Sequence, residues 1–187
     1  YNSRFMPMRL IICCIALLCC CTNAISQVYS TGNGKVTFRS DAPLELISAG
    51  SKEMRGKFDI GKKMFAFSIS INSFTGFNSP LQKEHFNENY METTLYPNAT
   101  FSGKIIEDID FTVNGTYEVR AKGNLTVHGV AQERIIRADL IIKDGKLSVK
   151  SDFTVLLSEH NIPIPKVVHE KLASEIKVEV KADLIAP

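Results

Sequence analysis

Apolar and polar residues alternate along most of the chain beyond Lys35, with the period of two that is typical of β-strands with one buried face. The separation is cleanest in residues 116–129, where one parity is apolar or small and the other carries threonine, arginine, lysine and asparagine. Similar alternation elsewhere brings the number of predicted strands to eight. They cover residues 35–40, 43–48, 64–71, 99–112, 116–129, 136–143, 147–155 and 176–184.

Short turn motifs join the later strands into hairpins. Asn114-Gly115 and Asp144-Gly145 are two-residue turns of the type that requires positive φ, and His128-Gly129 is a weaker third. Consecutive one-sided strands linked in this way predict an all-β fold, an eight-stranded antiparallel barrel that is closed or nearly closed.

Two stretches interrupt the alternation. Residues 79–103 are polar, studded with aromatics and partly helical in character. Residues 158–174 contain Pro163 and Pro165, which impose extended backbone, and we predict a short helix after them, at residues 167–173.

The first 26 residues have the pattern of a secretory signal peptide. Arg9 precedes an apolar run of about a dozen residues, shorter than the roughly 20 that a membrane-spanning helix needs. We expect cleavage after Ser26 and a periplasmic or secreted domain of residues 27–187. Residues 1–5 precede both candidate start methionines and are interpreted as an upstream remnant. Acylation of one of the cysteines at positions 19–21, which would make a lipoprotein, is the alternative.

Composition excludes several classes of function. All five cysteines lie inside the predicted signal, so the mature domain has neither disulfides nor thiolate ligands. Removing the signal takes away two of the 22 basic residues and none of the 20 acidic ones, and the neutral domain lacks the basic excess of nucleic-acid-binding proteins. No Gly-x-Ser-x-Gly motif is present, and the four histidines have no spacing typical of metal ligands. We therefore predict no enzymatic activity, no metal and no cofactor.

The predicted inner face carries no charge and mixes large side chains, such as Phe67 and Phe153, with small ones, such as Ala121 and Gly123. An eight-stranded barrel is just wide enough to be filled by its own side chains or to hold one slender ligand. Composition leaves both alternatives open. If a bore exists, its ligand is apolar and thin, such as an acyl or polyisoprenyl chain.

Two stretches resemble the YceI-like family of secreted lipid-binding proteins: HFNENYMETTLYPNATFSGKI at residues 85–105 and AKGNLTVHGV at residues 121–130. The shared features are a His-Phe pair, a Tyr-Pro before a strand of the form x-F-x-G, and a Gly-x-Leu-Thr-(Ile/Val)-x-Gly-Val hairpin. The resemblance covers essentially the whole mature chain. It implies an extended, lipocalin-like barrel with a short capping helix, and a polyisoprenoid such as a quinone or polyprenyl lipid in the lumen. Tyr90-Met91 stands where the family tends to have two aromatics, and residues 48–57 lack the family pattern, so the identity of the ligand stays open.

The resemblance places the helical stretch, residues 79–89, across a barrel mouth. The rival interpretation is a helix that plugs a filled core. The side chains expected to bind the ligand point into the lumen or line the mouth. In the lumen they are Phe65, Phe67, Ile69, Phe101, Tyr117, Val119, Ala121, Leu125, Val127, Leu140, Phe153, Val155 and Val178, and at the mouth they are His85, Phe86, Tyr90, Met91 and Tyr96.

The expected function is that of a bacterial envelope protein that transports, stores or sequesters a polyisoprenoid or similar apolar lipid. The rival is a filled barrel whose loop at residues 161–166 docks another envelope protein and that holds no lipid. A third hypothesis is lipid or quinone chemistry at His85, for which the sequence offers no base or orienting partner. Homodimerisation through the barrel face is left open.

Overall fold

A computed structural model describes residues 27–186, so the predicted signal peptide lies outside the described residues. Each strand pairs antiparallel with its neighbour in sequence, and β8 pairs with β1, which closes the barrel. The predicted eight-stranded antiparallel barrel is confirmed. The strands are β1 Val28–Asp41, β2 Leu46–Asp59, β3 Met64–Ser70, β4 Asn98–Ile105, β5 Gly115–Val127, β6 Val130–Lys143, β7 Lys146–Leu156 and β8 Glu175–Leu184.

The long β3–β4 connection contains the α-helix α1, Pro80–His85, which continues as a π-helical turn, Phe86–Tyr90. The short helix predicted for this stretch is therefore confirmed. The helix predicted at residues 167–173 is wrong, because only a 3₁₀ turn, Lys166–Val168, forms there. Further 3₁₀ turns cover Ile71–Ser73 and Leu157–His160. Within residues 27–186, none of the helices has the length and apolar character to cross a membrane.

Two of the three predicted tight turns form. His128 and Gly129 have φ of 50° and 71°, and Asp144 and Gly145 have φ of 51° and 75°, as two-residue hairpins require. The Asn114-Gly115 turn is wrong. Gly115 is the first residue of β5, and the Asn114 side chain instead bonds Asp144, with Nδ2 donating to Oδ1 at 3.0 Å and Oδ1 accepting from the Asp144 N–H at 2.9 Å.

Four strands, β1, β2, β4 and β6, have boundaries that differ from the prediction by more than two residues, and β6 begins at Val130 rather than at residue 136. β1 and β2 are longer than predicted. The β1–β2 register shifts around Gly34, and the buried parity of β2 changes between Ser51 and Met54. These irregularities interrupt the alternation of apolar and polar residues, so the sequence pattern underestimates the length of both strands. β4 ends at Ile105 rather than near residue 112. Residues 106–114 form a loop whose apolar side chains, such as Phe111, pack on the core and imitate a strand pattern.

β6 pairs with β7 only over Asp139–Lys143. Beyond that ladder, side chains bridge the two strands: Ser151 Oγ donates to the Arg137 carbonyl at 2.6 Å, and Arg134 Nη2 donates to the Thr154 carbonyl at 2.9 Å. Arg134 lies on the inward parity of β6, so the expectation of an inner parity without charge is wrong there. Its guanidinium links β6 to β7 where the backbone ladder between them has ended.

Candidate functional site

The strand order sorts the connections between two ends of the barrel. The β2–β3 turn, the β4–β5 loop, the β6–β7 turn and both ends of the described chain lie at one end. The β1–β2 turn, the β3–β4 connection with α1, the β5–β6 turn and the β7–β8 connection lie at the other. We call these the closed end and the open end.

The closed end is filled by side chains. Val119, Leu140 and Leu184 expose 2% of their surface or less. Phe111 of the β4–β5 loop covers this core, with its ring centroid 5.6 Å from that of Phe58. Ordinary packing of large against small side chains accounts for this half of the barrel.

The open end holds a cavity of about 530 Å³, within the range of small-molecule sites. Its wall is mostly apolar and comes from strands on both sides of the barrel. Carboxylate, ammonium and imidazole groups reach the described lining only from the connections at the open end, through Glu45, Lys171 and His85. The site can therefore surround an apolar chain while leaving one end of it near polar groups.

A lid of residues 79–91 covers the cavity. Its helix begins at Ser79, whose Oγ accepts a hydrogen bond from the Gln82 N–H at 3.1 Å, and Pro80 occupies the first helical position. Gln82 Nε2 donates to Glu45 Oε1 at 2.8 Å, which fastens α1 to the β1–β2 turn. The lid ends at Met91, which is 8% exposed and lines the cavity.

Four phenylalanine rings join the lid to the wall. Phe86 of the lid stacks on Phe38 of β1, with centroids 5.2 Å apart, and lies 5.0 Å from Phe77 and 6.1 Å from Phe74. Offset and tilted contacts at these distances are favourable beyond the area they bury. The lid is thus seated by apolar contacts that are themselves part of the cavity wall.

Three connections at the open end contribute partly or fully exposed residues to the cavity wall. These are the β1–β2 turn at Glu45, helix α1 at Leu81, and the β7–β8 connection at Lys171. The first and third are joined, since the Leu44 N–H donates to the Glu170 carbonyl at 2.9 Å. We call this part of the open end the mouth.

Most of the residues predicted to bind a ligand lie together in the cavity wall. These twelve are Phe67, Ile69, His85, Phe86, Tyr90, Met91, Phe101, Leu125, Val127, Phe153, Val155 and Val178.

The other six lie outside the wall. Five pack in or against the core of the closed end, because their positions along the strands are too far from the open end: Phe65, Tyr117, Val119, Ala121 and Leu140. The sixth, Tyr96, turns away from the cavity and packs edge-on against His128, with centroids 4.6 Å apart.

Sequence reasoning missed several wall residues. Phe38 lies in a predicted strand, but nothing in that short segment marked it as lining a site. Phe74 and Phe77 follow β3 in a stretch without any period. The available signal was the density of phenylalanine around the predicted helix.

A polar network fixes the far end of the lid. His128 is 8% exposed, and its Nε2 lies 2.6 Å from Glu92 Oε2, directly after the lid. His128 Nδ1 donates to the His160 carbonyl at 3.1 Å, and the buried His160 donates from Nδ1 to the Val130 carbonyl at 3.0 Å. This network links the lid, the β5–β6 turn and the β7–β8 connection.

Reactive groups are not assembled at the site. Within residues 27–186, no three His, Cys, Asp or Glu side chains come together in a way that could hold a metal ion. Among the same residues, the His85 side chain has no hydrogen-bonded acid or base.

The fold and the cavity define a closed antiparallel β-barrel with a lidded apolar chamber. The YceI-like domain family matches residues 28–184, and the chain therefore belongs to that family. The resemblance noted in the sequence is confirmed. No curated protein matches the chain significantly.

Solved structures share this fold at low sequence identity. A polyisoprenoid binding domain from Saccharophagus degradans, implicated in plant cell wall breakdown, has a TM-score of 0.72 and 13% identity over 86% of this chain and 98% of its own. BcnA from Burkholderia cenocepacia has a TM-score of 0.67 and 16% identity over 81% and 96%. The YceI protein of Campylobacter jejuni has a TM-score of 0.56 and 19% identity over 73% and 82%.

Proposed function

We propose that this protein binds one polyisoprenoid or similar apolar lipid in the cavity and carries, stores or sequesters it in the bacterial envelope, without catalysis. The lidded apolar cavity of about 530 Å³ carries the proposal. Membership of the YceI-like family and the fold shared with a polyisoprenoid binding domain support it. The apolar run at residues 10–21 supports export through a signal peptide.

The size of the cavity makes apolar burial a sufficient driving force. At interior packing density a hydrocarbon carbon with its hydrogens occupies about 25 Å³, so about 20 carbons fit. Burying them contributes roughly 16 kcal/mol at about 0.8 kcal/mol per carbon, against association costs on the order of 4–15 kcal/mol. Binding therefore needs no specific polar contact in the chamber.

The test places a charge in the wall. Phe153→Asp puts an unpaired carboxylate in the cavity lining, whose burial costs several kcal/mol, so affinity for a prenyl alcohol should fall at least about 100-fold. Thr154→Asp is the matched control, because it lies on the outer parity of the same strand opposite Lys177. Affinity is measured by displacement of a fluorescent fatty acid. Unchanged binding by a folded Phe153→Asp variant would count against the proposal.

A further inference from the structure

The inner limit of the cavity coincides with the boundary between two neighbouring rows of paired residues on β3, β4 and β5. The outer row, Phe67, Phe101 and Leu125, lines the cavity. The next inward row toward the closed end is Phe65, Gly103 and Gly123, and no member of it lines the cavity.

In this second row Phe65 provides the only side chain. Gly103 and Gly123 are paired so closely that a Cβ on Gly103 would lie 2.0 Å from the Lys122 carbonyl oxygen and 2.5 Å from the Gly123 Cα. The ring of Phe65 is 6% exposed, and its centroid lies 4.9 Å from that of Phe101. Phe65 therefore stands directly beneath the cavity wall, where the two glycines contribute only backbone.

The barrel is filled beyond Phe65. Phe58 pairs with Phe65 across β2 and β3, and Phe111 covers Phe58. On these strands Phe65 therefore marks the change from the cavity wall to the packed core.

We propose that Phe65 is the floor of the chamber and sets the length of chain that can be buried. This inference rests on the proposed function and adds a length limit to it. The cavity volume corresponds to about 20 carbons, or about four isoprene units. When a longer chain binds, the carbons beyond this limit stay outside the mouth and add no further affinity.

The experiment measures affinity for all-trans prenyl alcohols of two to six isoprene units by displacement of a fluorescent fatty acid. For the unaltered protein, affinity should rise at least about tenfold with each added unit and then level off at about four units. Phe65→Ala removes about 100 Å³ of side chain, so the levelling point should move outward by about one unit.

Two further variants keep the test decisive. Leu147→Ala, in the core of the closed end, is the control for general loss of packing and should leave the levelling point unchanged. Ala99→Phe adds a ring to the cavity wall and should move the levelling point toward shorter chains, even if Phe65→Ala does not fold.

The outcomes separate the two proposals. An unchanged levelling point in folded Phe65→Ala, or in Ala99→Phe, would overturn the length limit and leave lipid binding intact. Failure of every alcohol to bind the unaltered protein would overturn both.

Discussion

The rings of Phe38 and Phe86 are stacked, with centroids 5.2 Å apart and an interplanar angle of 16°. Phe38 belongs to β1 and Phe86 to the π-helical turn of the lid, so this contact joins the lid to the strand wall of the cavity. Phe74 and Phe77 complete the cluster around the same two rings. Seating of the lid and the shape of the chamber therefore depend on the same side chains.

Phe86→Ala should loosen the lid. Phe86 is half-buried, so we expect a loss of about 2 kcal/mol in the free energy of unfolding, below the cost at a fully buried site. Bound prenyl alcohol should dissociate at least about tenfold faster, since one wall of the chamber is lost. Urea unfolding and stopped-flow displacement measure the two effects. The control is Glu84→Ala, an exposed position on α1, and equal dissociation rates for the two variants would show that the ring cluster does not hold the lid.

His128 should hold the C-terminal end of the lid in place through its contact with Glu92. Its two ring nitrogens face two oxygens, Glu92 Oε2 at 2.6 Å and the His160 carbonyl at 3.1 Å, so a side chain that reaches only one of these oxygens loses a hydrogen bond. His128→Asn tolerates the positive φ of this turn but cannot span both contacts, and we expect it to cost about 2 kcal/mol of stability. Glu92→Gln should cost about 1 kcal/mol. Chemical unfolding measures both, and the interaction is refuted if the double variant costs the sum of the two single changes.

The contact between Glu107 of the β4–β5 loop and Arg120 should make the stability of the protein decrease at low pH. The Arg120 backbone N–H, at 2.6 Å, and then its guanidinium hold the pKa of Glu107 below its usual range. Because the folded-state pKa lies below that of the unfolded chain, the stabilisation is complete above about pH 4.5 and is lost as pH falls through the lowered value.

Glu107→Gln should therefore lower stability at pH 7 and narrow the gap between stability at pH 7 and at pH 3. Urea unfolding at the two pH values measures this. The comparison variant is Glu118→Gln, an exposed carboxylate that lies 3.7 Å from Arg137 on the outside of the barrel. If both variants respond to acid in the same way, the Glu107 contact contributes nothing specific.

Gly103 should be intolerant of any side chain. A Cβ there would lie 2.0 Å from a backbone oxygen of β5, which cannot move without opening the β4–β5 ladder. We expect Gly103→Ala to cost about 3 kcal/mol or more. Gly32→Ala is the matched control, since a Cβ at Gly32 meets nothing within 4 Å, and its effect should stay within about 0.5 kcal/mol. Equal melting temperatures for the two variants would contradict the close approach of the strands.

The fold could be predicted where one face of a long strand is continuously apolar, as in β5, β7 and β8. It was harder to predict where the backbone itself is irregular. Around Gly34 the register shifts, and along β2 the buried parity changes before Met54, so a strict period of two breaks down. In the β4–β5 loop, Phe111 packs inward without belonging to a ladder, and alternation alone cannot separate such a loop from a strand.

The sequence predicts that the inner face of the barrel is apolar, but it does not predict how far the cavity extends into the barrel. The alternation along the strands identifies Phe67 and Phe101 as inward-facing, but it assigns Phe65 and Val119 to the same face. The structure shows that Phe67 and Phe101 line the cavity, whereas Phe65 and Val119 are packed in the core of the closed end. Phe74 and Phe77 reach the cavity wall because the β3–β4 connection folds back over the open end of the barrel. That path depends on tertiary contacts such as the bond from Asn78 Nδ2 to the Leu46 carbonyl, which no local pattern records.

Extraction with organic solvent followed by mass spectrometry, applied to the protein purified from its native cells, tests lipid binding most directly. The account predicts about one equivalent of a lipid with an isoprenoid or similar hydrocarbon chain. The Phe153→Asp variant, purified in the same way, should yield none, which distinguishes cavity-bound lipid from carry-over. A folded native protein that releases no lipid, or one that releases as much as its Phe153→Asp variant, would contradict the account.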